Sequence, residues 1–221
     1  MHCVLMCSSI VRRFREGVEK DLQNELELRM LLGSEAEFEG LLEELRMTCY
    51  SSVYHWRESV SYFYKEGERQ IRSQVTLDTD DLVARKTHVE KERVAVLDMD
   101  GAKLCLSMEN EVEAPKGVVC THLVRILQRT SYVYDREGLP TWRIDLSRAW
   151  QAAGLTEAQK LQRVAKPRYE VEIELLPNKS YLSSSSDAHV LRSFELKLRM
   201  LRSLSKNRRE MAALSSGTLT R

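Results

Sequence analysis

Two segments far apart along the chain alternate charged and apolar residues, which is the spacing of a β-strand. In the first, "NELELRMLLG", the positions Glu25, Glu27 and Arg29 alternate with leucines and a methionine. In the second, "YEVEIEL", three glutamates alternate with apolar residues: Glu170, Glu172 and Glu174. Side chains two apart in a strand point to the same face. Each segment therefore predicts a strand with a column of charge on one face and an apolar opposite face.

Segments with the period of a helix flank these strands. Ser9 is predicted to cap a first helix within residues 1–22. Ser34 and Glu37 have the spacing of a capping box. The helix that they begin has one apolar stripe: Phe38, Leu41, Leu42 and Leu45. After the polar stretch "SSSSDAH", an apolar stripe predicts a C-terminal helix over residues 187–214 that packs back on the sheet.

The middle of the chain reads as successive short strands. From Ser51 to Asp145 it is rich in Val, Tyr, Thr and Leu and is punctuated by turn signals such as "MDGA". Strands at this spacing predict a barrel or a sandwich. A polar, mobile insertion is predicted from about Gln151 to Lys166, ahead of the final strand "RYEVEIELL".

Composition narrows the class of protein. The 34 basic and 33 acidic residues among 221 nearly cancel, so the chain lacks the bulk positive field of a non-specific nucleic-acid binder. The five cysteines are scattered without a CxxC pair, which indicates reduced thiols rather than disulfides or a zinc site. No apolar run reaches the length of a membrane span, so a soluble, non-secreted protein without membrane contact is expected.

The two acidic runs, about 145 residues apart, predict a metal site. In a closed antiparallel barrel the first and last strands can be neighbours, which places Glu25 and Glu27 beside the column of Glu170, Glu172 and Glu174. Carboxylates at close range raise one another's pKa, and a divalent cation offsets their charge. Oxygen ligands favour Mg²⁺ or Mn²⁺. A solvated strand face is the simpler interpretation of either run alone.

The strands between the acidic runs carry side chains that suit phosphate. Four arginines lie in or beside strand-like runs: Arg72, Arg85, Arg129 and Arg143. The planar guanidinium group fits phosphate oxygens, although a single such arginine is more often a surface residue. Glu109 and Glu111 stand two apart in "SMENEVE", and either can orient or deprotonate an attacking water. A barrel with a metal on one wall and arginines on the others would hold a metal-bound polyphosphate.

With both acidic runs in place, the sequence resembles the fungal and protozoan type of metal-dependent RNA triphosphatase of messenger-RNA capping, within the triphosphate tunnel metalloenzyme superfamily. The family's first acidic motif resembles "ELELR" and its last resembles "YEVEIEL". The segment "RTSYVYDREGLPTWRIDLSRAW" resembles the stretch that joins two tunnel strands. The resemblance implies an α+β fold: an antiparallel eight-stranded β-barrel, the triphosphate tunnel, with flanking helices in a single domain over residues 1–221.

The same resemblance implies a role for each matching residue. Three glutamates are implied to bind the metal, Mg²⁺ or Mn²⁺: Glu25, Glu27 and Glu174. Glu170 and Glu172 would support it through water or neighbouring basic side chains. Three arginines are implied to grip the phosphates: Arg72, Arg85 and Arg129. Glu109 falls near the attacking water, and Asp145 and Ser147 fit positions that orient these groups, with Ser where the family can have Thr.

Two departures from the family pattern bear on phosphate binding. The family commonly has a Lys two residues before the arginine matched to Arg129, and here that position is Leu127. Arg125 or a residue on another strand is expected to take its place. The acidic residue expected around "RESVSYFY" is matched only loosely, by Glu58.

The expected function is removal of the γ-phosphate from the 5′-triphosphate end of nascent RNA, the first step of capping. No KxDG nucleotidyl-transfer motif occurs, so the resemblance implies a separate guanylyltransferase partner and a nuclear location. A monomer is expected. The rival enzyme is a tunnel protein that acts on tripolyphosphate, thiamine triphosphate or a nucleotide. A module that binds polyphosphate without turnover and a structural β-domain are the alternatives of other classes.

Overall fold

The computed structural model describes residues 2–20, 22–48, 54–66, 69–78, 84–99, 101–114, 121–134 and 141–217. Its helices are α1 His2–Glu19, α2 Glu35–Thr48, α3 Leu155–Val164, α4 Lys179–Ser184 and α5 Asp187–Gly217. Its strands are β1 Asn24–Leu32, β2 Tyr54–Glu66, β3 Arg69–Asp78, β4 Ala84–Met99, β5 Ala102–Glu111, β6 Thr121–Tyr134, β7 Trp142–Ala152 and β8 Arg168–Leu175.

In these ranges the eight strands close into one antiparallel barrel in the order β1-β5-β4-β3-β2-β6-β7-β8. The first and last strands are neighbours, with Glu27 opposite Glu174 and Arg29 opposite Glu172. The predicted fold class, an α+β protein with an eight-stranded barrel and flanking helices, is confirmed. The two acidic runs lie side by side, as their alternation and the closure of a barrel predicted. We call the interior of this barrel the tunnel.

The barrel is polar inside and apolar on much of its outer face. The apolar residues of β1 and β8 point outward, and Leu28 and Ile173 are fully buried beneath helices. Three helices cover this side, α1 with Phe14, α2 with Phe38 and α5 with Phe194. Burial of each such side chain contributes about 1.5–3 kcal/mol. The main hydrophobic core therefore lies outside the barrel, and the tunnel is left free for charged groups.

The helices differ in part from the sequence predictions. The capping box is present, since Ser34 Oγ accepts from the Glu37 amide at 3.3 Å and Glu37 Oε2 accepts from the Gly33 amide at 2.7 Å. The prediction that Ser9 caps the first helix is wrong. Ser9 lies well inside α1, where the backbone amides are already bonded within the helix. The C-terminal helix begins as predicted at Asp187 and continues to Gly217, beyond the predicted end at residue 214.

The mobile insertion predicted from Gln151 to Lys166 is also wrong. Its first two residues belong to β7, and most of the remainder forms α3. Ala158 of α3 is fully buried against β6 and β7, and Trp150 Nε1 donates a hydrogen bond to the Ala165 carbonyl at 3.0 Å. The polar composition of the segment reflects the exposed face of α3. Tertiary packing, which the local sequence does not reveal, holds the helix in place.

A tight turn joins β4 to β5. Gly101, between β4 and β5, has a φ of +78°, a conformation that residues with a Cβ rarely adopt. It lies in the predicted turn "MDGA".

No helix in the described part of the chain is long and apolar enough to cross a membrane.

Candidate active site

Charged side chains from seven of the eight strands meet in the middle of the tunnel. They surround a cavity of about 130 Å³. Its charged lining residues are Glu25, Glu27, Arg29, Arg72, Lys91, Glu109, Arg125, Arg129, Arg143 and Glu172. Each of these side chains belongs to the inward face of its strand, so the strand period brings them together once the barrel is closed.

The acidic seam consists of Glu25, Glu27 and Glu174, and in this structure its charges meet protein cations. Lys91 Nζ lies 2.5 Å from Glu25 Oε2, 3.6 Å from Glu27 Oε1 and 2.9 Å from Glu109 Oε1. Burial alone would lower the pKa of Lys91, but the surrounding carboxylates raise it. This ammonium group is therefore firmly charged, and it links β1 and β5 to β4.

A second group centres on Arg129, whose guanidinium contacts three residues on neighbouring strands. Arg129 Nη1 donates to Asp145 Oδ2 at 2.8 Å, and Nη2 donates to Glu172 Oε2 at 2.5 Å. Arg129 Nε donates to Ser147 Oγ at 3.2 Å. Such a set of directed hydrogen bonds fixes the plane of the guanidinium. Asp145 and Ser147, predicted to orient the groups of the site, and Glu172, predicted to support the metal, all contact this one guanidinium.

The carboxylates of the tunnel fall into two electrostatic classes. Although burial acts to raise it, the guanidinium groups of Arg129 and Arg29 lower the pKa of Glu172 to about 2. The pKa of Glu109 is also lowered, because Lys91 and Arg72 outweigh its burial. These two carboxylates are stably ionised.

Glu27 and Glu174 form the other class. Burial raises the pKa of Glu27 above its ordinary value, and neighbouring acids add to the effect. Burial raises the pKa of Glu174 to about 8, despite an ion pair with Arg143. The two residues lie directly opposite each other on β1 and β8. The protein's own cations therefore leave the charge of this one opposed pair incompletely offset.

The donor set of the acidic seam fits a hard divalent cation. Glu27 is 3% exposed, and its Oε1 has no hydrogen-bond partner although Arg29 Nη2 lies 2.7 Å away. In the part of the chain that the structure describes, no three acidic, His or Cys side chains already stand in a metal-holding arrangement. Glu25 and Glu27 face Lys91, and Glu174 faces Arg143. A bound cation would have to take over these contacts.

Two predicted phosphate ligands have different positions in the tunnel. Arg72 of β3 lines the central cavity, and its Nη2 lies 3.3 Å from Glu109 Oε1. Arg85 of β4 is on the same face of its strand as Lys91, but it is exposed and lies opposite Thr76, near the end of the strand. The structure thus brings Arg72 into the charged centre and leaves Arg85 outside it. Glu111 is likewise exposed, two residues beyond Glu109.

The structure shows what surrounds the two positions that depart from the family pattern, Leu127 and Glu58. Leu127 faces the central cavity and is 7% exposed. Arg125, two residues before it, faces the tunnel and forms an ion pair with Glu170. Burial lowers the pKa of Arg125 somewhat, although Glu170 opposes the shift. Glu58 belongs to the outward-facing positions of β2 and accepts a hydrogen bond from Gln128 at 3.0 Å, so it is no part of the tunnel cluster.

The sequence analysis missed two central residues, Lys91 and Arg29. Lys91 was not considered at all, and Arg29 was noted only for its alternation. The sequence does contain a pattern that could have identified Lys91. Its spacing from Arg85 and Arg93 puts the three basic side chains on one face of β4. Arg29 Nε lies 3.3 Å from Glu172 Oε1 and its Nη2 contacts Glu27, so it bridges the two acidic strands.

The closed antiparallel barrel is similar in fold to solved RNA triphosphatases. Among solved structures, the RNA triphosphatase Pct1 of S. pombe superposes with a TM-score of 0.60 at 18% identity, over 90% of this chain and 92% of that chain. The mimivirus capping enzyme triphosphatase gives a TM-score of 0.63 at 16% identity, over 88% of this chain and 94% of that chain. The resemblance stated from the sequence is confirmed at the level of the fold.

A further structure of Pct1, in complex with the Spt5 CTD, gives a TM-score of 0.59 at 18% identity, over 90% of this chain and 93% of that chain. No protein-family model matches the sequence, and no curated protein matches it. The similarity therefore lies in the fold, over nearly the whole of both chains.

Proposed function

We propose that this protein is a divalent-metal-dependent RNA 5′-triphosphatase. It removes the γ-phosphate from the triphosphate end of nascent RNA and leaves a diphosphate end, the first step of messenger-RNA capping. The fold shared with Pct1 and with the mimivirus enzyme supports this class of activity. The substrate and the metal requirement are proposals that rest on the residues of the tunnel.

One observation carries the proposal. Glu27 and Glu174 are buried and directly opposed, and their pKa values are raised because burial outweighs the attraction of the nearby cations. The Arg129 guanidinium lines the same central cavity as Glu27. A tunnel that concentrates carboxylates beside arginines suits a ligand that brings both positive and negative charge. A polyphosphate with a bound Mg²⁺ or Mn²⁺ has this character.

Each residue of the site then has a role. Glu25, Glu27 and Glu174 would hold the metal, and Glu170 and Glu172 would support them by fixing Arg125 and Arg129. When bound, the metal supplies positive charge to the phosphoryl oxygens and to the attacking water. Asp145 and Ser147 hold the plane of the Arg129 guanidinium toward the tunnel.

The reaction is an in-line displacement at the γ-phosphorus. A water oxygen forms a bond to phosphorus while the bond to the β–γ bridging oxygen breaks, and the diphosphate-ended RNA leaves. Glu109, which is ionised and held by Lys91 and Arg72, would orient that water and accept its proton. Arg72 and Arg129 stabilise the charge on the phosphoryl oxygens, so catalysis is mainly positioning and electrostatics. Arg85 has a peripheral role in phosphate binding at most, because of its exposed position.

The second candidate is a tunnel enzyme that acts on inorganic tripolyphosphate, thiamine triphosphate or a free nucleotide. The central cavity favours it equally, because the residues there suit phosphate groups and carry no group that reads a base or a ribose. Substrate preference separates the two candidates.

Two proposals follow for the cellular setting. We propose a separate guanylyltransferase as the partner that completes the cap, and a nuclear location, since the proposed substrate is nascent RNA. Pct1 has been solved in complex with the Spt5 CTD, and we propose a similar partner for this protein. A tagged protein that is excluded from the nucleus would contradict this setting without affecting the chemistry.

The experiment is phosphate release from γ-labelled triphosphate-ended RNA, tripolyphosphate and ATP, each with Mg²⁺, with Mn²⁺ and with a chelator. We expect metal-dependent release from RNA at low enzyme concentration. Glu157→Gln on the exposed face of α3 is the matched control for Glu174→Gln. Release from tripolyphosphate alone would support the second candidate, and no release from any substrate would contradict both.

A further inference from the structure

A second and larger cavity opens at one end of the tunnel. It has a volume of about 410 Å³ and lies where β8 begins and where the turn at Gly101 joins β4 to β5. Five basic side chains line it against two carboxylates, Glu170 and Glu172. The basic ones are Arg29, Arg93, Lys103, Arg125 and Arg168. Three of these do not reach the central cavity, and we call Arg93, Lys103 and Arg168 the basic mouth.

The basic mouth adjoins the candidate active site. Arg29, Arg125 and Glu172 line both cavities. Antiparallel pairing places the basic mouth and the acidic seam at opposite ends, because Glu174 lies near the last residue of β8 and Arg168 is its first. Along the tunnel, the acidic seam is followed by the Arg129 group and then by the basic mouth.

The side chains of the basic mouth form few ion pairs with the protein's own carboxylates. In the ranges that the structure describes, neither Arg93 nor Lys103 forms an ion pair, although Asp98 lies opposite Lys103 in the register. Arg168 Nε is 3.6 Å from Glu170 Oε1, a carboxylate that also pairs with Arg125, and the Arg168 side chain is 57% exposed. Exposed, mutually close cations of this kind attract a polyanion.

One further arginine lies close to the basic mouth, on α5. Arg202 Nη2 lies 3.6 Å from the place that a Cβ would occupy at Gly101, and Gly101 itself lines the larger cavity.

We infer that the basic mouth binds the first phosphodiester groups of the RNA strand behind its 5′-triphosphate, and so selects RNA over free tripolyphosphate. This inference rests on the proposed function and deepens it. The γ-phosphate lies at the acidic seam, the β- and α-phosphates pass Arg129 and Arg125, and the chain leaves between Arg93, Lys103 and Arg168. The recognition is of the backbone, without base specificity.

The test compares two substrates on a triple variant, Arg93→Ala, Lys103→Ala and Arg168→Ala. The KM for a triphosphate-ended RNA of about ten nucleotides should rise on the order of tenfold with little change in kcat. The kinetic constants for tripolyphosphate should stay within about twofold, which also shows that the variant folds. The slope of log KM against log salt for RNA should become shallower by roughly 0.7 for each lost contact.

The matched control is Arg12→Ala, Arg13→Ala and Lys86→Ala, which removes the same charge from exposed positions on α1 and on the outer face of β4. It should leave the KM for RNA within about twofold. An unchanged KM for RNA in the mouth variant, or an equal loss on tripolyphosphate, would overturn the inference alone. If the wild-type protein releases phosphate from tripolyphosphate but never from RNA, the proposed function fails and this inference fails with it.

Discussion

The two ends of the tunnel pose opposite electrostatic problems. At the acidic seam, burial raises the pKa of Glu27 and of Glu174, and the nearby protein cations do not fully offset the effect. At the basic mouth, Arg93 and Lys103 are exposed and pair with no carboxylate in the described chain. One end requires a cation and the other attracts an anion. The difference indicates a ligand with direction, a polyphosphate whose terminal group binds metal and whose other end continues as a chain.

The largest expected effect comes from removing a charge at the acidic seam. Glu174→Gln keeps the volume of the side chain and removes a proposed metal ligand, so phosphate release should fall on the order of a thousandfold. Circular dichroism and a thermal melt should show an intact fold. Glu157→Gln should retain wild-type turnover. A near-normal rate with unchanged metal dependence in Glu174→Gln would remove the acidic seam from the mechanism.

A smaller loss should follow a change at the centre of the tunnel. Arg129→Lys keeps the charge but cannot donate at once to Asp145, Ser147 and Glu172, so kcat should fall about a hundredfold. The loss should be similar for RNA and for tripolyphosphate, because Arg129 lies before the basic mouth. Steady-state kinetics with both substrates measure it, with Arg163→Lys on α3 as the control. A loss confined to RNA would place Arg129 in chain recognition instead.

The third prediction concerns Lys91, whose ammonium contacts three carboxylates. In chelator, Lys91→Met should lower the free energy of unfolding by about 3 kcal/mol, because buried carboxylates lose their cation. Mg²⁺ or Mn²⁺ should raise the melting temperature of the variant more than that of the wild type. Lys86→Met, at an exposed position of β4, is the control. A variant that melts like the wild type in chelator would show that Lys91 does not balance the acidic seam.

Measured per pH unit, the smallest effect is the pH dependence of stability without metal. The pKa of Glu174 rises from an ordinary value of 4.5 to about 8 on folding, so the folded state holds more protons between these values. The free energy of unfolding should therefore fall as the pH rises from about 5 to 8, by at most about 1.4 kcal/mol per unit. Chemical unfolding in chelator at several pH values measures this slope. The same series on Glu174→Gln should be flatter, and an equally steep slope would assign the effect to another group.

Local patterns in the sequence predicted much of the fold and part of the site. The capping box at Ser34 and the alternation in both acidic runs depend on residues close together in the chain, and the structure contains all of them. Ser9 was a wrong cap because α1 begins upstream of it, at His2. The mobile insertion was wrong because packing against β6 and β7 holds α3 in place. The predicted roles of Glu25, Glu27 and Glu174 in metal binding stay predictions.

Alternation with a period of two sets which side chains share a face of a strand, and it can be read from the sequence except where a β-bulge interrupts it, as between Arg93 and Ala95 in β4. It did not determine which face turns inward. The closed barrel decides this, because the apolar faces of its strands pack under the helices and the charged faces therefore point into the tunnel. Closure also brought Lys91 and Arg29 to the glutamates and Arg93 and Lys103 to one mouth. Pairing between distant strands sets these contacts, and no local pattern encodes it.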